Sequence, residues 1–154
     1  MKISAKNYKL IMSLYPPYLG AGISIKSVSS NFMEIQVTLV KRWYNRNVRN
    51  THFGGSIYSM TDPHFMFIIS NALGEDYIVW DKEAYVNFIK AVKTKITAHM
   101  SISEEQIEEI RKATATGEKY LPKYTVDIKT DDGTLVAQVI KTIYIRKKRN
   151  KINY

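Results

Sequence analysis

The stretch from Asn50 to Leu73 most constrains what this chain can fold into. It opens on a glycine pair, Gly54-Gly55, which lets the backbone turn sharply and come close to a ligand. Ser56 is a candidate N-cap, and a helix start at the glycines themselves is the alternative. From Ile57 to Leu73 apolar side chains then fall at every helical angle, and Gly74 supplies a left-handed stop. A helix with no polar face belongs in an interior. At about five turns it is marginal for a bilayer, and Asp62, Pro63 and His64 sit near its middle. One long core helix is therefore expected.

Asp62 is then an acid with little access to water. An unpaired buried carboxylate is unfavourable, so this one needs a partner, a wet cleft or a proton. Pro63 removes a helical hydrogen bond and bends the axis at the same place. A structural acid that ties down the bend and a functional acid are both open readings.

Strand-like segments surround this helix. A short amphipathic helix is expected over residues 4–14, with Tyr8, Ile11 and Met12 on one side and Pro16-Pro17 ending it. Residues 20–29 and 32–40 form a hairpin, the second strand alternating Met33, Ile35, Val37 and Leu39 with polar neighbours. Strands are expected over 77–90 and 93–102. Ser103 and Gln106 have the spacing of a capping box for a short acidic helix ending by Gly117. Strands over 120–130 and 134–146 are joined by the turn Asp131-Asp132-Gly133. Hairpin strands pair antiparallel, and an antiparallel sheet curved around a single helix is an α+β layout.

The 154 residues read as one domain, 1–154, with an N-terminal helix in 1–14 and a basic tail in 147–154. Cysteine is absent, which excludes disulfides, thiol nucleophiles and cysteine-held metals and fits a cytoplasmic protein. No secretory signal is read, because Pro16-Pro17 interrupts the first apolar run too early. The net charge of +9 concentrates in the loop 41–49 and in the tail, which favours anionic partners: nucleic acid, acidic lipid or a phosphate-bearing small molecule. Trp43 and Tyr44 among arginines suit nucleic acid, but no recognition helix or RNA-binding signature accompanies them, so nucleic acid is set aside. His52, Asp62 and His64 match no metal-ligand spacing, and His64 reads as a satisfied core residue; no metal and no cofactor are expected. Asp81 is either a second acid or a structural ion pair with Lys82. Ser56 and Ser59 lack a His–Asp partnership.

The glycine pair opening an enclosed helix resembles the hotdog fold, an antiparallel sheet of about six strands wrapped around one long central helix. More narrowly, the stretch is similar to the phenylacetyl-CoA thioesterase branch, whose helix opens His-Gly-Gly with an Asp nine residues after the His and an Asn six before it. Here Phe53 stands at the His position, Gly54 and Gly55 match, and Asp62 and Asn47 fall at those spacings. Runs close to residues 51–56, 76–82 and 117–122 resemble an uncharacterised bacterial branch of hotdog domains. The resemblance implies an acyl-CoA thioesterase working at a dimer interface, with a tetramer as the alternative assembly and no membrane partner. The backbone N–H of Gly54 would stabilise the oxyanion, Asp62 from the other subunit would act as base or nucleophile, and Asn47 would hold the water. Desolvation would make a buried Asp62 the better base. Phe53, Gly55, His52, Ser56 and Arg46 would contact substrate, with basic residues meeting the coenzyme A phosphates. The alternative is a non-catalytic acyl-binding or assembly module on the same scaffold.

Overall fold

In the computed structural model, which describes residues 3–148, the period-two strands close into one antiparallel sheet. Strands β1 (Ile23–Val28), β2 (Glu34–Leu39), β3 (Tyr77–Phe88), β4 (Ile96–Ser101), β5 (Lys119–Tyr120), β6 (Lys123–Thr130) and β7 (Leu135–Lys147) pair in the order β1-β2-β4-β6-β7-β3, with β5 added to β7. The β2–β4 register sets Ile35 beside Met100, Val37 beside Ala98 and Leu39 beside Ile96, so the apolar alternation of both strands reaches one face. Pro122 explains why the expected strand over 120–130 is divided into β5 and β6. Most of the basic tail, 149–154, lies outside the described residues.

The central element differs from the expected single rod. It consists of α3 (Gly54–Ser59) and α4 (His64–Leu73), separated by a turn over 60–63. Pro63 precedes the first residue of α4, and the Asp62–Pro63 peptide is cis. The helix starts at Gly54, with Phe53 as cap residue and no side-chain cap bond, so Ser56 is a buried first-turn residue instead. Both helical segments remain enclosed, since Gly55 alone among residues 54–74 is exposed. Ile57, Met60, Phe65, Ile68 and Ile69 join the inward residues of β2, β4, β6 and β7 in one apolar core.

At the N-terminus, α1 (Ala5–Leu14) buries Tyr8 and Met12, while Ile11 points outward, against the expected grouping. The proline pair ends α1 and also begins a second helix, α2 (Pro16–Ala21), because proline suits the first turn. The acidic helix α5 (Glu104–Ala113) has the expected reciprocal capping box between Ser103 and Gln106. Arg111 ties it to the Ala72 carbonyl at the end of α4.

Candidate active site

The turn between α3 and α4 presents Asp62 toward the inner face of the sheet. There β7 offers Ala137, Val139, Lys141, Ile143 and Ile145 in succession, so a lysine stands where an apolar residue belongs. Its side chain is only 1% exposed. Its ammonium donates to Asp62 Oδ1 at 2.6 Å, lies 3.1 Å from Asp81 Oδ1, and stands 5.4 Å from the centre of the Tyr58 ring. The Asp81 contact is an ion pair without hydrogen-bond alignment, which leaves that buried oxygen without a hydrogen-bond donor. Burial pushes the Asp81 carboxyl above its usual range, Lys141 pulls it back, and the Asp62 charge adds to the rise. For Lys141, burial favours the neutral amine, but the Asp62 bond and the charges of both aspartates outweigh it and hold the ammonium above the usual lysine range. Asp81 is thus in an ion pair, as one sequence reading had it, but with Lys141; Lys82 pairs with Glu83.

Asp62 itself is 42% exposed. It lies in a turn and opens to solvent, so the expectation of a desolvated helical acid does not hold. Behind it, His64 is fully buried between two tyrosines, with Tyr8 Oη 2.7 Å from Nδ1 and Tyr18 Oη 2.9 Å from Nε2. Tyr18 also donates to the Asp62 carbonyl. Its single proton is then spent, so it accepts from His64 Nε2–H, and bare Nδ1 accepts from Tyr8. Burial pushes the imidazole down to about 3, so His64 is a neutral bracket for the turn. The expected satisfied core histidine is what the fold contains.

The glycine end of α3 opens on a separate cavity of about 350 Å³, lined by Asn47, His52, Gly54, Phe88 and Lys90 among others. The structure thus brings Asn47, His52 and Gly54 together, while Asp62 of the same chain does not line this cavity. Neither glycine needs a left-handed backbone. What marks them is the close approach of two exposed rings: a Cβ on Gly54 would lie 3.2 Å from the Phe88 ring, and one on Gly55 would lie 2.5 Å from the Phe53 ring, so each ring would have to shift to admit it. Phe53 is 57% exposed, with its ring laid over Gly55.

The other expected site residues are placed as follows. Asn47 donates to Thr51 Oγ1 and the His52 carbonyl, and its Oδ1 accepts from the N–H groups of Arg49 and Thr51. Its donors and acceptor are filled, so the side chain clamps the loop leading to α3. His52 is buried, and its Nε2–H donates to the Thr94 carbonyl at 2.7 Å. Burial lowers its pKa, with the Thr94 bond opposing. Arg46 is exposed and bonded to Asn50. Sequence reasoning missed Lys141 and Lys90. The first was detectable as a cation on an apolar strand face; the second fell in a segment read as the end of a strand.

The curved antiparallel sheet around a central helical element is the hotdog fold, as the resemblance implied. The chain belongs to the family described as Domain of unknown function (DUF4442), whose model matches residues 5–145. A comparison with curated proteins gives no match. Among solved structures, a Pseudomonas aeruginosa protein of unknown function described as a probable thioesterase is similar with a TM-score of 0.82 at 12% identity, over 96% of this chain and 98% of that one. A Haemophilus influenzae thioesterase is similar with a TM-score of 0.69 at 14% identity, over 99% and 97%. The Escherichia coli PaaI protein from the phenylacetic acid degradation operon has a TM-score of 0.59 at 14% identity, over 92% and 91%. The structural agreement establishes the shared fold, and at these identities it extends to the fold alone.

Proposed function

We propose that the protein is a thioesterase that hydrolyses an acyl-CoA at a site shared by two copies of the chain. One observation carries this reading. The glycine end of α3 opens on a cavity, and a solvent-accessible acid, held in place by a buried lysine, lies on the same central element but outside that cavity. A single chain therefore holds the two halves of a hydrolytic site apart, and a second copy supplies the missing half.

The open edge of β3 supports a dimer. This twelve-residue strand is an open sheet edge whose Trp80, Tyr85 and Phe88 are exposed, and long apolar edges demand a partner. Pairing two β3 edges antiparallel would continue the sheet and lay the second chain beside Trp80 and Tyr85. In that assembly the Gly54 N–H meets the thioester oxygen as charge develops, and the partner's acid, Asp62, activates water. Lys90 at the cavity meets the phosphates of the substrate. Asn47 holds the loop, and water orientation falls to Asp62. Phe53 and Phe88 flank the glycines as apolar substrate contacts, with His52 as a fixed wall.

The test is turnover of a panel of acyl-CoA chain lengths, followed by thiol release. Asp62→Asn is expected to stay folded and dimeric and to lose at least about a hundredfold in kcat. Equal turnover in the two proteins refutes the assignment. The non-catalytic reading draws on the bond already made by Asp62 Oδ1 to Lys141 and on Phe53 at the His position. It predicts saturable acyl-CoA binding without thiol release.

A further inference from the structure

The N-terminal third of the chain carries a surface that hydrolysis does not use. Between Met1 and Thr61 the only acid is Glu34, against eight lysines and arginines. Glu34 begins β2 and pairs with His99, whereas the basic loop over 41–50 leaves from the other end of that strand. Helix α1 turns Tyr8 and Met12 inward and keeps Leu10, Ile11 and Leu14 outward on one stripe beside Lys6 and Lys9. Tyr15 and Leu19 of the next turn and helix are exposed as well.

The loop over 41–50 adjoins the end of α2. Asn45 Nδ2 donates to the Ala21 carbonyl at 2.7 Å and packs where a Gly22 Cβ would stand, which fastens the loop against the end of α2. Asn47 and Asn50 bond the rest of the loop internally. On this braced frame Trp43 is 81% exposed and Val48 fully exposed, between Arg42, Arg46 and Arg49. A braced loop has no need to display a tryptophan and a valine to water, least of all beside the three arginines of the same loop.

We propose that α1, α2 and the loop over 41–50 form a docking surface for an anionic lipid bilayer. The chemistry matches that interface in layers: aliphatic side chains enter the acyl boundary, tryptophan and tyrosine sit at headgroup depth, and lysine and arginine reach lipid phosphates along their apolar stems. Nucleic acid would engage the cations and rings but leave the leucines, Ile11 and Val48 in water. No described helix is long and apolar enough to cross a membrane, and a surface contact requires none. The proposal departs from the expectation of no membrane partner and takes up the acidic lipid that the charge of the loop favours. It stands independently of thioester hydrolysis.

The test uses the full chain and vesicles of about one-third phosphatidylglycerol in phosphatidylcholine, at about 0.1 M salt. Cosedimentation is expected with these vesicles and at least about tenfold weaker with phosphatidylcholine alone. In a Trp80→Phe background, Trp43 emission should shift to the blue on binding. Trp43→Ser with Val48→Asp, and separately Leu10→Ser with Leu14→Ser, should each weaken binding about tenfold or more while circular dichroism stays unchanged. Binding that survives both pairs of substitutions overturns the proposal. So does preference for a random oligonucleotide over the vesicles, or a fall in oligomeric mass in the first variant without lipid, which would assign the surface to another copy of the chain.

Discussion

Replacing Lys141 by methionine isolates the charge at the centre of the candidate site. The side chain is 1% exposed, and methionine keeps most of its volume, so packing changes little. What disappears is the cation 2.6 Å from Asp62 Oδ1 and 3.1 Å from Asp81 Oδ1. Removing one member of a buried ion pair destabilises by about 3–5 kcal/mol, because the other charge is stranded. Asp62 is 42% exposed and rehydrates, which places the expected loss near the lower end, at about 3 kcal/mol. For a chain of this length that lowers Tm by roughly 6–12 °C. The sign with pH follows from Asp81. Its folded pKa is raised above the unfolded value, so ionisation on going up through that window reduces stability. Lys141 opposes the rise, and without it the window widens upward. The deficit of Lys141→Met relative to wild type is therefore smaller at about pH 5, toward which protonation relieves Asp81, than at about pH 8. Urea unfolding at fixed protein concentration measures both values. A loss below about 1 kcal/mol at pH 8, or an equal loss at both pH values, refutes the stranded-charge account.

Three further outcomes are expected. His64→Leu leaves the Tyr8 hydroxyl without its partner and should destabilise by about 1–3 kcal/mol. The wild-type histidine, pushed down to about 3, stays neutral in the fold, so stability is lost as pH falls from about 6.5 through that value; His64→Leu should show a shallower acid loss in the same unfolding series. Gly55→Ala forces the Phe53 ring away from 2.5 Å and should raise KM with little loss of stability, since that ring is exposed; an unchanged KM would remove Phe53 from substrate contact. Lys90→Ala should raise KM for an acyl-CoA but leave KM for an acyl thioester lacking phosphates unchanged, and equal effects on both would refute a phosphate contact.

The fold was legible in the sequence because its strands alternate cleanly. Ile35, Val37 and Leu39 face inward as their spacing requires, and Ser103 with Gln106 marks the start of α5 at the right residue. The enclosure of the central element was legible in the lack of a polar face between Ile57 and Leu73. Its division was less so: Pro63 signalled a bend, whereas the full turn at 60–63 is backed by Tyr8 and Tyr18 meeting His64 from the first two helices, more than forty residues away in the chain. Long-range pairing also hid the site. Asp81 has a lysine beside it in sequence, but neighbouring residues on a strand point to opposite faces, and its partner comes from Lys141, across the β3–β7 ladder. Asn47 shows the converse limit. Its spacing from the glycines matched a family pattern, yet hydrogen bonds to Thr51, His52 and Arg49 give it a loop-holding role that spacing cannot distinguish.

Assembly and chemistry are coupled through β3. This strand contributes Asp81 to the charged cluster on its inner side, while its open edge is where the proposed dimer would form. In the proposed dimer, covering that edge would remove water beside Asp81 and bring another copy's turn toward the Gly54 cavity. Both effects require two chains, so turnover should follow the fraction of dimer rather than the total concentration. Trp80→Lys with Tyr85→Glu places charges on the edge without touching Asp62, Lys141 or the cavity lining, and should move dissociation into a measurable range. Light scattering gives the dimer fraction and thiol release gives specific activity over the same dilution series. The two curves should share a midpoint. Specific activity that stays constant through the dissociation midpoint would mean that one chain carries a complete site, and the shared-site reading would fail on that result.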